Sequence, residues 1–278
     1  MVSDTTVRFT RNGATFECLP AYKELVVESL PWLELDRLHQ EVEVVRTHPN
    51  QIVVRVPFEI DGRPERVYLK RYQFGDLRRR LKDALGRTRA RGEWLAIHAV
   101  EDLGIGVSPP VLFGVRQIGF LRRESFLATR EVHDVKSADL IIGDASGSER
   151  RHAVRLLGQL IGTLHAQGLF HDDLKAPHIL AAQGHLPEDG VHGIVLLDLY
   201  RAVTGRRPTM RQRGVNLAQV WISIPGLTRT DQVRLLEGAL EISDQPGEER
   251  RKLWRSMQRA LITRQRRRAR KGPNQASS

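Results

Sequence analysis

The run Leu169-Phe170-His171-Asp172-Asp173-Leu174-Lys175-Ala176-Pro177-His178-Ile179-Leu180 puts two carboxylates, one ammonium and two imidazoles within eight residues. A third acid, Asp198, closes the apolar run Ile194-Val195-Leu196-Leu197, 25 residues after Asp173. These residue types suit phosphoryl transfer. That chemistry asks for a carboxylate to orient an acceptor hydroxyl, a cation beside the moving group, and ligands for metal on the phosphates. The spacing follows the template H-x-D-L-x-x-x-N, then an Asp at a strand end. Asp173 takes the place of the hydroxyl-orienting acid, and Lys175 that of the cation offsetting phosphoryl charge. His178 stands where the template has Asn. An imidazole can replace the amide as a ligand, although Mg²⁺ prefers oxygen. Asp198 is the stronger metal candidate, because a carboxylate after four apolar strand residues is costly unless paired or liganded. His171 reads as architectural, bonding backbone near Asp198, and Asp172 as facing water.

Lys70 ends an apolar strand and is a candidate for neutralising nucleotide phosphates. Its proposed partner is Glu93, 23 residues on, because a Lys–Glu pair between strand and helix is a fixed part of such sites. The five histidines His165, His171, His178, His185 and His192 recur at six- or seven-residue steps. Pro177, Gly184, Pro187 and Gly190 break any helix that could align them, so a histidine metal cluster is not expected.

The elements that must carry these residues change character along the chain. Gln51–Phe58 is β-branched and leads to the turn signal Asp61-Gly62-Arg63-Pro64, with Arg66–Tyr72 as the returning strand. A helix is predicted from about Thr88 to Leu103, with Trp94, Leu95, His98, Ala99 and Leu103 as its core face. Val111–Val115 and Ser125–Arg130 read as further strands, and Glu131–Asp139 as the crossing into a helical half. There Val154, Leu157, Leu160, Ile161, Leu164 and His165 line one helix face, ended by Gly168. Ile179–Ala182 and Gly193–Leu197 read as a short strand pair. From Met210 to Arg270 only helices are expected, broken at Gly226 and at Pro246-Gly247.

At 278 residues the chain can bury a substantial core. Its 40% hydrophobic and 28% charged content are ordinary for a soluble globular protein. One cysteine, Cys18, excludes an internal disulfide framework and a cysteine-based zinc site. No window has the 18 or so uncharged apolar residues of a membrane span, and Met1–Thr6 does not read as the start of a signal peptide. The net charge of +11 is uneven: Arg264, Arg266, Arg267, Arg268, Arg270 and Lys271 fall within eight residues. A second basic run spans Arg78 to Arg91. Such runs suit anionic headgroups or phosphorylated sugars. No RNA-reading aromatic motif or zinc-finger spacing accompanies them, so nucleic acid is not an expected partner.

These residues carry a resemblance to a known family, the lipopolysaccharide core kinases of Kdo/WaaP/InaA type within the protein-kinase-like superfamily. Tyr68-Leu69-Lys70-Arg71-Tyr72 resembles the family's lysine strand, and Arg91-Gly92-Glu93-Trp94 its helix start. His178 with Ile179-Leu180, and Asp198-Leu199-Tyr200-Arg201, resemble its catalytic-loop and metal segments. Arg211-Gln212-Arg213, Asn216-Leu217-Ala218-Gln219-Val220 and Ser223 resemble its later helix. The match covers roughly residues 40 to 260. It departs in having no Gly-x-Gly-x-x-Gly before Lys70, where Thr47–Gln51 contains no glycine, and in Asn216 where the family commonly has Asp. There is no Ala-Pro-Glu segment and little room for a long activation loop before Met210, which points away from a regulated protein kinase.

The resemblance implies an α+β, bilobal, protein-kinase-like fold with a β-rich N-lobe and a helical C-lobe. The division it suggests is an extension over 1–40, the N-lobe over 41–132, the C-lobe over 133–262 and a basic, disordered tail over 263–278. It further implies ATP and Mg²⁺ as cofactors. Lys70 and Glu93 would serve the nucleotide, Asp173 and Lys175 the chemistry, and Asp198 and His178 the metal. The acceptor would be a sugar hydroxyl of a core-like glycolipid or related small molecule. The location would be cytoplasmic, peripheral to the inner face of the membrane through the basic tail. Two other readings stay open: a catalytically silent kinase-like binding module, and a metal phosphohydrolase using His171-Asp172, which would need an all-helical body.

Overall fold

The computed structural model describes residues 6–11, 13–24, 42–60, 62–73, 77–119, 122–182, 185–187, 190–243 and 246–271. The chain forms two compact units. One runs to His98 and returns for Ser108–His133; the other takes Ala99–Val107 and everything from Asp134 on.

The first unit is built on one seven-stranded sheet. Its strands are β1 (Val7–Arg11), β2 (Ala14–Cys18), β3 (Glu43–His48), β4 (Gln51–Ile60), β5 (Arg63–Tyr72), β7 (Pro110–Gly119) and β8 (Arg122–Arg130), in the order β1-β2-β7-β8-β5-β4-β3. The β6 strand (Gly106–Val107) belongs to the second unit. Pairing of β4 with β5 is antiparallel from Gln51↔Tyr72 to Ile60↔Arg63, around the predicted turn, where Gly62 has φ +74°. Alternation puts Val54, Val56, Leu69, Leu112, Phe126 and Ala128 into one core with Ala14, Phe16 and Tyr22. Their burial is the main force holding the sheet.

Two expectations are corrected here. The extension expected over 1–40 contains the β1–β2 hairpin, which joins the sheet through β2 and β7, Phe16 opposite Gly114. The cause is the alternation in Ala14-Thr15-Phe16-Glu17-Cys18, whose odd-numbered positions Thr15 and Glu17 face outward while 14, 16 and 18 are buried together. Residues 25–41 lie outside the described ones. The helices of this region are α1 (Leu77–Ala84) and α2 (Arg89–Glu101). On α2 the buried positions are Ala90, Glu93, Trp94, Ala96, Ile97 and Val100, whereas Leu95 and His98 are exposed. The core face is thus rotated from the predicted one, because it includes an acid.

In the second unit, β9 (Val135–Ser137), β11 (Ile179–Ala182), β12 (Ile194–Leu196) and β6 make a four-stranded sheet in the order β6-β12-β11-β9. A two-stranded ladder pairs β10 (Phe170–His171) with β13 (Ala202–Val203). The helices are α3 (Ala138–Asp144), α4 (Gly147–Ala166), α5 (Met210–Ser223), α6 (Arg229–Glu241) and α7 (Pro246–Lys271). All six apolar-face residues predicted for α4 are buried. Helices α4 and α6 meet backbone to backbone at Gly158 and Gly238, where a Cβ on either would overlap a carbonyl of the other helix. Since α7 continues to Lys271, the expected disordered tail is helical over 263–271; residues 272–278 lie outside the described ones. The strand-rich first unit is not the all-helical body that a His-Asp phosphohydrolase requires.

Candidate active site

In the first unit, β5 and α2 bring two predicted residues together. Lys70 Nζ lies 2.5 Å from Glu93 Oε1. The other carboxylate oxygen accepts a hydrogen bond from the Tyr72 hydroxyl. Lys70 and Tyr72 share one face of β5 because strand side chains alternate with period two. Glu93 is 1% exposed, and a buried carboxylate persists only with both oxygens satisfied. Tyr72 is a partner that sequence reasoning missed; its signal is the two-residue spacing from Lys70. On the opposite face, Arg71 Nη2 and Arg116 Nη2 each lie 2.5 Å from one oxygen of buried Glu124, tying β5, β8 and β7 together. Past Lys70's face, Glu131 accepts from Tyr68 Oη at 3.0 Å and lies 3.3 Å from Arg55 Nε.

In the second unit, α4 leads into the candidate catalytic loop. The helix ends at Gly168, φ +74°, where the Leu169 N–H donates to the Leu164 carbonyl at 2.8 Å. A Cβ there would come within 3.2 Å of the Arg206 backbone, so the glycine also admits the chain that follows Asp198. His171 then sits on β10, buried. Its Nδ1 accepts the Asp173 N–H at 3.1 Å, which leaves Nε2 to donate to the Asp198 carbonyl at 2.8 Å. Burial pushes its pKa down, in keeping with this neutral, Nε2-protonated ring.

The Asp173 carboxylate accepts from Lys175 Nζ at 3.0 Å. Burial would raise its pKa, but the hydrogen bond and charge of Lys175, with Arg201 and His178, hold it below the ordinary carboxylate range. Asp172 is exposed and paired with Arg201 at 2.6 Å. Asp198 follows β12 in the left-handed region, φ 57° and ψ 51°. Such a conformation in a non-glycine residue points to a constraint from its surroundings. Here the His171 ring supplies one by holding the Asp198 carbonyl. His178 lies in the short turn Ala176–His178, and its carbonyl accepts the Leu197 N–H at 2.9 Å, with Ile179 opposite Leu196 beyond. That register places His178 one step across from the approach to Asp198. Among the described residues, no three His, Cys, Asp or Glu side chains form a ready metal cluster.

Helix α5 supports the loop from beneath. It opens on a capping box between Thr209 and Gln212. Asn216 Nδ2 donates to the His171 carbonyl, and Gln219 Nε2 to the Asp172 carbonyl. Ser223 Oγ accepts the Ala176 N–H at 2.8 Å. Sequence reasoning noted these three residues only through the family resemblance; their partners are backbone atoms, which no residue type advertises.

A two-unit chain with a Lys–Glu pair in a β-rich unit, and a His-x-Asp loop latched to a strand-end Asp in a helical one, has a protein-kinase-like fold. The solved structure of WaaP in complex with acyl carrier protein shares it, with a TM-score of 0.64 at 23% identity, covering 89% of this chain and 98% of that one. The pattern of the lipopolysaccharide kinase (Kdo/WaaP) family matches residues 50–238. The chain therefore belongs to that family, and it is a kinase. The lipopolysaccharide core heptose(I) kinase WaaP of Pseudomonas aeruginosa is 29% identical over 189 residues, 64% of this chain and 70% of that protein. WaaP of Escherichia coli strain K12 is 26% identical over 194 residues, 65% of this chain and 71% of that one.

Proposed function

We propose that this kinase moves the γ-phosphoryl group of ATP to a sugar hydroxyl of a lipopolysaccharide-core glycolipid. The observation that carries the reading is the Asp173–Lys175 pair on a loop whose backbone is latched through His171 to Asp198. Asp173, held as a carboxylate, accepts the hydrogen bond of the acceptor hydroxyl and orients its oxygen. The hydroxyl's proton passes to the Asp173 carboxylate as the new P–O bond forms and the bond to the ADP oxygen breaks. Lys175 offsets charge on the transferring group. Lys70, steadied by Glu93 and Tyr72, neutralises nucleotide phosphates. Asp198 and His178 would hold Mg²⁺; one carboxylate and one imidazole suit an ion that takes its other ligands from phosphates and water. The metal, when bound, supplies charge neutralisation on the phosphates.

The names of the relatives, lipopolysaccharide core heptose(I) kinases, support a core sugar as the acceptor. Peripheral attachment at the inner face of the membrane is supported by α7. Arg251, Arg255, Arg259 and Arg266 are exposed there at steps of four, four and seven residues, with exposed Ile262 among them. Among the described residues no helix is long and apolar enough to cross a membrane.

The test is transfer from labelled ATP with Mg²⁺ to a panel of heptose- and Kdo-bearing core acceptors, comparing wild type with Asp173→Ala and Asp198→Ala. Transfer abolished by both substitutions is expected, and transfer surviving both would falsify the site. ATP binding without transfer to any acceptor would establish a silent module instead.

A further inference from the structure

Helix α1 is built inside out. Leu77, Leu81 and Leu85 follow at i, i+4 and i+8, which puts them on one helix face. The Leu85 N–H donates to the Leu81 carbonyl at 3.2 Å, so the helical register carries through Leu85. That leucine face is the outer one: the three residues are 64%, 49% and 77% exposed. The inner side is polar. Asp83 is buried and Arg80 half-buried. Arg123 of β8 ties the helix down by donating from Nη1 to the Asp83 carbonyl at 3.0 Å. A surface helix ordinarily does the reverse and turns its apolar stripe to the core. Leucines lined up in water are unfavourable, and a contiguous apolar patch of this kind marks an interaction surface.

Two features select the partner. The first is charge. Leu77 to Arg91 carries seven cations and one acid, Asp83. The acid is buried, whereas Lys82, Arg87 and Arg91 are exposed. The second is size. Eight helical residues make a strip about 12 Å long and about 10 Å wide, on the order of 100 Å². Each partner of a stable protein–protein interface commits roughly 800 Å². An interfacial helix needs no such area, because its leucines enter the acyl boundary while Lys and Arg stems reach back to anionic headgroups.

We propose that α1 is a membrane-docking surface of the first unit, where Leu77, Leu81 and Leu85 insert into a bilayer whose anionic headgroups are met by Lys82, Arg87 and Arg91. The inference rests on the peripheral-attachment reading for the bilayer as partner, and adds to the charge of α7 an apolar anchor on a different helix.

The test takes the full chain with vesicles of phosphatidylcholine alone and of phosphatidylcholine mixed with phosphatidylglycerol. Wild type should bind the mixed vesicles more tightly. Leu77→Ser combined with Leu81→Ser should lower that binding about tenfold. Melting temperature and transfer to a soluble acceptor should stay at wild-type values, since neither leucine is buried or near Lys70. An environment-sensitive fluorophore on Leu81→Cys gives a second readout, and its emission should shift to the blue on the mixed vesicles. Cys18, the one native thiol, is buried with its pKa raised to about 11, so it does not compete for the label. Unchanged binding in the leucine pair, equal binding to both vesicles, or a label that stays in water would each overturn the proposal. A leucine pair that turns a wild-type dimer into a monomer would also overturn it, by assigning the stripe to a second copy of the chain. Arg255→Gln combined with Arg259→Gln separates α1 from α7. Binding lost in the arginine pair and kept in the leucine pair refutes α1 and leaves α7. The opposite result supports α1 and refutes α7.

Discussion

The His171 ring spans two candidate residues: Nε2 is 2.8 Å from the Asp198 carbonyl, while Nδ1 takes the Asp173 N–H at 3.1 Å. One neutral imidazole therefore sets the distance between the Asp173 loop, proposed to orient the acceptor, and the strand end that would hold metal. His171→Ala should lower kcat at least tenfold and raise the Mg²⁺ concentration needed for half-maximal rate. A Mg²⁺ titration that superimposes on wild type would disconnect the ring from Asp198.

Asp173→Asn should lower kcat by about 10²–10⁴-fold, the usual weight of positioned acid–base groups. Its melting temperature should stay close to wild type, because the loop is anchored through backbone and His171, not through this carboxylate. The depressed pKa of Asp173 has a sign that can be checked. The active carboxylate forms above its folded pKa, so catalysis is lost only as pH falls below the ordinary value of about 3.9. A rate profile with an acidic limb near pH 6 assigned to Asp173 would contradict this.

His165 makes the second unit sensitive to acid. Its folded pKa, about 4, lies below the ordinary value of 6.5. The unfolded chain therefore takes up the proton first as pH falls, and stability present above about pH 6.5 is lost through the window down to about pH 4. The difference corresponds to a few kcal/mol. Denaturant midpoints measured from pH 7.5 to 4.5 should fall, and should fall less steeply in His165→Gln.

Removing Lys70 takes the cation from the buried Glu93 carboxylate and leaves it the Tyr72 hydroxyl. Lys70→Met should cost about 3–5 kcal/mol of unfolding free energy, besides weakening ATP binding. Tyr72→Phe, which loses one hydrogen bond to a charged group, should cost about 1.5–3 kcal/mol. Urea denaturation resolves the two, and equal losses would show that the phenol and ammonium are not separable supports.

The crossing of α4 and α6 depends on missing side chains. Gly158→Ala must push the Leu235 carbonyl away, and overpacking of this kind costs about 1–3 kcal/mol. Gly92→Ala on α2 meets nothing within 4 Å, so helix propensity alone should make it stabilising by up to about 1 kcal/mol. Melting temperatures moving in opposite directions would confirm the contrast.

What could be read before folding followed residue chemistry. The Lys70–Glu93 pair, the Asp173–Lys175 loop, the β4–β5 turn and the α4 apolar face all announce themselves by type and spacing. The N-terminal hairpin did not, because five-residue strands with Thr and Glu on alternate positions carry little apolar signal. The α2 face was misjudged because Glu93, an acid, lies on the buried side and Leu95 on the exposed one. Asn216, Gln219 and Ser223 stood at helical spacing in plain view. Their partners are peptide groups of the loop, and only three-dimensional placement shows which atoms those are.

Lys70 and Arg71 are neighbours on one strand, yet they grip carboxylates on opposite sides, Glu93 from α2 and Glu124 from β8. A slip of β5 by one residue would turn Lys70 away from Glu93 and Arg71 away from Glu124, each to the opposite face of the sheet. The strand is thus keyed like a lock with two wards, and a lesion at Glu124 would surface as a misaligned lysine.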